Sequence, residues 1–120
     1  MKNNNDLGKE GEALARGFLD DQGYQIIATN WRVGHLEADI IALKDDRVVF
    51  VEVKTRTSEE YGEPEGFVDR KKQRAYIRLA NAFMLRNGRY EEARFDIISV
   101  VIGKNGHTIR HIPSAFTTVG

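Results

Sequence analysis

The chain has 120 residues, of which 41% are apolar and 30% are charged, with 18 basic side chains against 18 acidic ones. This length and composition are typical of a soluble globular protein with one core, and they predict a single domain over residues 1–120. No apolar run approaches the roughly 18 residues of a membrane-spanning helix. The polar first residues, 1–5, do not resemble a secretory signal, so we expect a cytoplasmic protein with a disordered start. The absence of cysteine excludes disulfides, thiolate zinc sites and cysteine nucleophiles.

The neutral balance of charge conceals a difference between the two halves of the chain. Residues 1–65 carry 8 basic and 14 acidic side chains, a net charge of −6, whereas residues 66–120 carry 10 and 4, a net charge of +6. This division favours an acidic site in the first half and an anion-facing surface in the second. The alternative is an ordinary solvated surface with unevenly distributed charges, and composition alone does not separate the two.

Periodicity and turn residues predict seven elements in chain order. A helix is expected over 6–22, because apolar residues recur on one stripe and Gly23 can end it. The expected strands cover 24–31, 36–43, 47–55, 94–102 and 108–112, and a second helix covers 69–86. The polar segment 56–67 predicts a mobile loop, and Asn105-Gly106 predicts a hairpin turn. The order αβββαββ predicts an α/β fold with a mixed sheet flanked by helices.

The second and third predicted strands carry most of the chemical information. A two-residue turn between them pairs residues whose numbers sum to 91, so that Asp39 faces Glu52 and Glu37 faces Lys54. Directly opposed side chains share one face of the sheet. The four charged groups should therefore lie together, at the end of the strand pair that is remote from the turn. The other face is apolar and is expected to be covered; it presents Ile40, Val49, Val51 and Val53.

Two opposed carboxylates destabilise a plain sheet, and a divalent cation would resolve that conflict. Mg²⁺ favours a few carboxylate oxygens together with water, and it can stabilise the attacking and leaving oxygens of a phosphate displacement. Lys54 points to the same side, where it would orient or help to deprotonate a water molecule, or neutralise developing charge. The alternative is a cross-strand ladder of ion pairs at an exposed strand end.

Asp39, followed on the next strand by Glu52-Val53-Lys54, resembles the PD-(D/E)xK signature of nucleases with a restriction-endonuclease-like fold. Surrounding segments extend this resemblance to the YraN family, a bacterial family of uncharacterised nuclease-like proteins that is similar to archaeal Holliday-junction resolvases. These segments are Leu7 to Glu12, Asn30 to Arg32, Glu37 to Ala42, Val49 to Arg56, Lys72 to Arg74 and Arg94 to Ile97. The resemblance covers roughly residues 7–102 and implies a three-layer restriction-endonuclease-like fold.

The resemblance also implies roles for individual residues. Asp39 and Glu52 would bind Mg²⁺ or Mn²⁺, the carbonyl of Val53 would complete the metal shell, and Lys54 would be the catalytic lysine. It implies further that Glu12, on the first helix, is an auxiliary catalytic acid.

Two acids of the first helix compete for the auxiliary role. The resemblance favours Glu12, whereas helical geometry favours Glu10, which lies closer in angle to the apolar stripe at 100° per residue. A third reading is that both acids simply complement the positive end of the helix dipole. The residues by themselves leave this choice open.

The second helix separates two sets of basic residues. Arg70, Arg74 and Arg78 recur every four residues and form a stripe that either contacts nucleic-acid backbone or is a solvated face. Lys72 falls on the apolar side in the first turn, which favours contact with a phosphate or with a carboxylate of the site. We assign these residues, together with Arg56 directly after the third strand, to nucleic-acid binding.

Taken together, these features predict Mg²⁺- or Mn²⁺-dependent hydrolysis of phosphodiester bonds in DNA by in-line attack of water, with branched or structured DNA as a candidate substrate. One alternative is a nucleic-acid-binding module of the same fold without turnover, and another is a structural partner of a larger repair or uptake machine. The expected partner is nucleic acid and not a membrane, and a homodimer is expected by analogy with the resolvases alone.

His107 and His111 would lie about 13 Å apart on a strand, which excludes a shared metal ion.

Overall fold

The computed structural model describes residues 4–58 and 66–117. Within these residues, two helices and five strands are formed in the predicted order αβββαββ. They are α1 (Asn4–Asp21), β1 (Gln25–Val33), β2 (Leu36–Lys44), β3 (Arg47–Thr57), α2 (Arg70–Arg86), β4 (Glu92–Gly103) and β5 (Gly106–Phe116). The strands form one sheet in the order β1-β2-β3-β4-β5. Only β3 and β4 run parallel, with α2 in the connection between them, so the sheet is mixed, as predicted.

Helices cover both faces of the sheet, because residues buried on both sides alternate along the central strands. On one face, Ala15 and Leu19 of α1 pack in a core cluster with Ile40 and Val49. On the other face, Leu79 of α2 packs with the alternate residues of the same strands, including Ile41, Val48 and Phe50. The α1 face is the apolar face that was expected to be covered. The three layers confirm the predicted fold class.

Several element boundaries differ from the predictions. The third strand continues through Arg56 and Thr57, which were assigned to a loop, because both extend the parallel pairing of β3 with β4. The remainder of the predicted mobile loop falls largely on residues 59–65, outside the described residues. At the start of the chain, α1 includes residues 4 and 5 of the segment predicted to be disordered, and residues 1–3 also lie outside the described part.

The β2–β3 hairpin has the predicted register near its turn. Five pairs, from Lys44 with Arg47 to Ile40 with Val51, have numbers that sum to 91. The two turn residues, 45 and 46, both have positive φ angles of 49° and 62°, as the two-residue hairpin requires. The pairing ends at Ile40, however, so the predicted pairs of Asp39 with Glu52 and of Glu37 with Lys54 are wrong as ladder positions. The two strands separate at this point.

Within the described residues, neither helix combines the length and the apolar character that crossing a membrane requires.

Candidate metal and nucleic-acid site

The carboxylate of Asp39 lies where β2 and β3 separate. Its Oδ2 atom accepts a hydrogen bond from the backbone N–H of Val53 at 2.7 Å, so a side chain replaces the backbone pairing that would otherwise continue. Glu37 turns to the other neighbouring strand, where it forms an ion pair with Arg32 of β1. Glu52, the residue before Val53, is 14% exposed at its side chain. The opening of the ladder therefore brings the predicted metal ligand Asp39 to the backbone N–H of Val53, directly beside the second predicted ligand, Glu52.

The carboxyl group of Asp39 has an unusual pKa, and burial is the largest cause. It raises the pKa of this carboxyl group from 3.8 to about 7, against the opposing effect of the Val53 N–H. The negative charges of Glu12, Glu52 and Glu37 raise the pKa further, in that order. Repulsion between Asp39 and Glu52 is thus present, as the pairing predicted, but desolvation is the larger effect.

The helix α1 brings Glu12 towards this group because Gly11 allows a close approach. A Cβ atom on Gly11 would lie 1.8 Å from Oγ1 of Thr55, so the helix rests directly on β3. Glu12 then accepts a hydrogen bond at its Oε1 from Asn30 Nδ2 at 2.9 Å. Asn30 has a positive φ of 49°, a conformation that asparagine adopts more readily than most residues. Glu12 is an acid of α1 whose charge acts on Asp39, which agrees with the resemblance.

Two lysines border a pocket of about 240 Å³ beside Glu52. Lys72 Nζ lies 2.9 Å from Glu52 Oε1, and this contact raises the pKa of Lys72. Lys72 therefore contacts a site carboxylate, one of its two predicted targets. Lys54 Nζ donates to the carbonyl of Phe67. The pocket is lined by Glu52, Val53, Lys54, Phe67, Val68, Asp69 and Lys72.

The other predicted basic residues lie elsewhere. Arg70, Arg74 and Arg78 are exposed on α2, away from its buried stripe of Tyr76, Leu79, Ala80 and Phe83. Arg56 lies further along β3 than Lys54, where it pairs with Val101. The arginine stripe is therefore a surface feature beside the pocket rather than a part of its wall.

Tyr76 is a neighbour of the site that the sequence analysis assigned only to the apolar stripe of the helix. It is 4% exposed, and its hydroxyl is hydrogen-bonded to the backbone of Asp39. Burial, followed by the charges of Asp39 and Glu52, raises the pKa of this phenol well above its usual value. Helical periodicity finds a buried tyrosine but not the target of its hydroxyl, which lies on a distant strand.

The oxygen atoms predicted as ligands, on Asp39, Glu52 and the Val53 carbonyl, are of the type that Mg²⁺ and Mn²⁺ favour. Across residues 4–58 and 66–117, no three His, Cys, Asp or Glu side chains converge in a way that could hold a metal ion. The predicted set needs only two such side chains, with a backbone carbonyl and water as further ligands. It fits a hard divalent cation that keeps most of its water, and does not fit a closed structural metal site.

A second polar cluster, missed by the sequence analysis, lies around Asp96. This buried carboxylate accepts two hydrogen bonds from Arg94 at 2.9 and 2.7 Å, one from the Ser114 N–H at 3.0 Å, and has His111 Nε2 at 2.7 Å. Arg94 also donates to the Tyr24 hydroxyl at 2.6 Å. Burial acts to raise the pKa of Asp96, but these partners outweigh it and hold the pKa below its usual value. The cluster ties β4 to β5 and to the residue before β1, and it explains His111 without a metal.

Comparisons with known proteins identify the family of this chain. The sequence profile described as "Uncharacterised protein family UPF0102" matches residues 11–100. A UPF0102 protein of Bacteroides thetaiotaomicron is 45% identical over 97% of this chain and 96% of its own length. A UPF0102 protein of Parabacteroides distasonis is 41% identical over 97% and 96%, and one of Alkaliphilus oremlandii is 40% identical over 94% and 99%. The resemblance to the YraN family is thus confirmed: the chain belongs to the uncharacterised protein family UPF0102.

Proposed function

We propose that this chain is a cytoplasmic endonuclease that hydrolyses phosphodiester bonds in DNA, including branched or structured DNA, with Mg²⁺ or Mn²⁺. The observation that carries the proposal is the opening of the β2–β3 ladder at Asp39. There, the half-buried carboxyl group of Asp39 and the carboxylate of Glu52 lie close enough to repel each other, and Glu52 borders a pocket with two lysines. Such a concentration of charge is costly in a plain sheet and useful in a site for phosphate chemistry.

Each residue of the site has a distinct role in this proposal. Asp39, Glu52 and the carbonyl of Val53 would hold the cation, which would supply an activated water molecule and polarise the phosphate. Lys54 exchanges the carbonyl of Phe67 for the attacking water or for a phosphate oxygen, and stabilises negative charge as it develops. Glu12, held by Asn30, supports the acidic group from α1.

The DNA backbone has a suitable surface next to the pocket. Arg70, Arg74 and Arg78 project from α2 into solvent, while the first turn of the same helix forms one wall of the pocket through Lys72. Phosphates that follow the exposed stripe would therefore lead to the acidic group. A homodimer belongs to the proposal by analogy with the resolvases, and light scattering at micromolar concentration tests it.

Cleavage of a panel of linear, single-stranded and branched DNA with Mg²⁺ and with Mn²⁺ tests the proposal. Wild-type protein should cut at least one substrate, and EDTA should stop the reaction. Asp39→Ala, Glu52→Ala and Lys54→Ala should each reduce the rate on the order of 10²-fold or more, since each removes a charge that acts on the reacting phosphate. Asp20→Ala, which removes an exposed acid from α1, is the matched control and should cut like wild type.

Absence of cleavage across the whole panel would reject the enzyme, and cleavage that survives Glu52→Ala would reject this site. One observation favours a second candidate, a nucleic-acid-binding module without turnover: Lys54 and Glu52 both have partners within the protein. Salt-dependent DNA binding without cleavage would support that candidate. Absence of any DNA binding would instead support a structural partner in a larger assembly.

A further inference from the structure

The first turn of α2 places the ammonium group of Lys72 beside the carboxylate of Glu52. Asp69 caps the helix by accepting a hydrogen bond from the backbone N–H of Lys72 at 2.8 Å. This bond fixes the point at which the Lys72 side chain leaves the helix. Its ammonium group lies 2.9 Å from Glu52 Oε1. Only 14% of the Glu52 side chain is exposed, against 52% of Lys72. The carboxylate is therefore fixed in the wall of the pocket, whereas the ammonium group approaches from the solvent side and is free to rotate away.

Two cations, the Lys72 ammonium group and the proposed metal ion, compete for the carboxylate of Glu52. A divalent ion bound to a carboxylate oxygen lies about 2.0–2.6 Å from it, and the ammonium group already lies beside Oε1. Two cations that close together on one half-buried carboxylate repel each other strongly. A metal ion can therefore bind Glu52 fully only when the ammonium group moves.

The surroundings provide a second position for the ammonium group. Lys72 borders the pocket beside Glu52 and also a neighbouring cavity of about 280 Å³. This second cavity lies between the β1–β2 turn, at His35, and the first turns of α2, at Lys71 and Ala75. Because lysine has a flexible four-carbon stem, a change of side-chain rotamer is enough to carry the ammonium group from the carboxylate to the rim between the two cavities.

We propose that Lys72 is the resident cation of the metal-free site, and that it passes from Glu52 to a nucleic-acid phosphate when a divalent cation binds. The inference rests on the proposed function for the metal and for the substrate class. In the metal-free protein, the ammonium group compensates a carboxylate that would otherwise be half-buried and unpaired. After the exchange, the same group carries its charge to the phosphate beside the cation, so Lys72 couples metal binding to substrate binding.

Calorimetric titration of Mn²⁺ at about pH 8 tests the exchange. Lys72→Met should bind Mn²⁺ about fivefold more tightly than wild type, which corresponds to the loss of one partly exposed ion pair at the upper end of the usual range. Lys72→Arg retains the competing charge and should bind Mn²⁺ like wild type. The matched control is Lys104→Met, since this exposed lysine between β4 and β5 gives the same change in net charge; its Kd should stay within about twofold of wild type because distant charges are screened.

The outcomes separate the exchange from the proposed function. Measurable Mn²⁺ binding by wild type, with no tighter binding by Lys72→Met, overturns the exchange and leaves the metal site in place. No Mn²⁺ binding by any of the proteins overturns both. Thermal melts in EDTA establish that each variant is folded, and Lys72→Gln replaces Lys72→Met should the latter melt well below wild type.

A second measurement tests the transfer to phosphate. Fluorescence anisotropy with a labelled single-stranded DNA gives the Kd in EDTA and in millimolar Ca²⁺. Because binding of the two ligands is reciprocally linked, Ca²⁺ should increase the DNA affinity of wild type several-fold more than that of Lys72→Met. An equal gain in the two proteins would show that the released ammonium group does not reach a phosphate, and would overturn that step.

Discussion

Asp39 illustrates how one carboxyl group can acquire its chemistry from position rather than from residue type. Its Oδ2 atom is held by a backbone N–H, which by itself favours the charged form. Burial and three neighbouring carboxylates oppose that effect and raise its pKa to about 7. The result is a group that binds a proton near neutral pH in the metal-free protein and that would exchange this proton for a cation.

The raised pKa of Asp39 has a defined consequence for stability. Between pH 3.8 and about 7 the folded metal-free protein retains a proton that the unfolded chain has lost, so the free energy of unfolding falls as the pH rises through that interval. Asp39→Asn removes this fall. In EDTA, we expect the variant to melt close to wild type at about pH 4 and several degrees above it at about pH 8.

Metal should reverse the order of the two proteins. A cation that binds only the folded state adds RT ln(1 + [L]/Kd), or about 2.7 kcal/mol at a hundredfold excess over Kd. Millimolar Mn²⁺ should therefore raise the melting temperature of wild type at about pH 8, and leave Asp39→Asn unchanged. If the acids form only an ion-pair ladder, wild type will not respond to Mn²⁺ and Asp39→Asn will be the less stable protein at pH 8.

At the scale of elements, the contact between α1 and β3 determines how closely Glu12 approaches Asp39. Gly11 meets Thr55 so closely that a Cβ atom would lie 1.8 Å from its Oγ1 and 2.7 Å from its Cβ. Rotation of the threonine relieves the first contact but not the second, since a Cβ atom does not move with χ1. Any larger residue at position 11 therefore has to lift the helix, and Glu12 with it.

Gly11→Ala should destabilise the protein for this reason. We expect a loss of about 1–3 kcal/mol in the free energy of unfolding, as for overpacking at other tight contacts, measured by urea denaturation. Gly17→Ala is the matched control on the same helix. It has open space around it and should gain about 0.5–1 kcal/mol from helix propensity.

Restoring space on the strand should separate crowding from other effects of Gly11→Ala. The double variant Gly11→Ala with Thr55→Gly should recover part of the lost stability, beyond the sum of the two single changes. Equal stability of Gly11→Ala and Gly17→Ala would contradict the close contact altogether.

At the scale of the whole molecule, the division of charge along the sequence becomes a division in space. Two acids from the first half of the chain, Glu12 and Glu52, act on Asp39 at the open strand ends. The positive second half contributes α2, which directs Lys72 into the acidic group and the arginine stripe into solvent. A polyanion that follows the stripe would thus meet the acids only where a cation neutralises them.

Replacement of Arg70, Arg74 and Arg78 together by Gln should weaken DNA binding regardless of sequence. Each lost phosphate contact should reduce the slope of log K against log salt by about 0.7–0.9. The matched control is a triple Gln variant of exposed cations elsewhere, Lys9, Arg47 and Lys104, which makes the same change in net charge. Anisotropy at several salt concentrations gives the slopes. A slope that the arginine variant shares with wild type would identify the stripe as a solvated face.

Features that depend on neighbours in sequence could be predicted without the structure. Hydrophobic periodicity and turn residues determine the order αβββαββ, because side-chain direction repeats within a few residues. The short turn at 45–46 determines the register of β2 and β3 as far as Ile40 with Val51. The pattern Asp39, Glu52-Val53-Lys54 together with the segments around it identified the family, which the matching relatives confirm.

Only the tertiary structure decided what these residues contact, because the contacts join segments that lie far apart in the chain. The ladder opens at Asp39 because the side chain takes the N–H of Val53, fourteen residues away. Lys72 contacts Glu52 because α2 connects the parallel strands β3 and β4, and Arg94 donates a hydrogen bond to Tyr24, 70 residues away in the chain. Desolvation, which dominates the pKa of Asp39, also depends on every element packed around it. Local patterns therefore determined which residues face the site, whereas packing decided their partners and their charge.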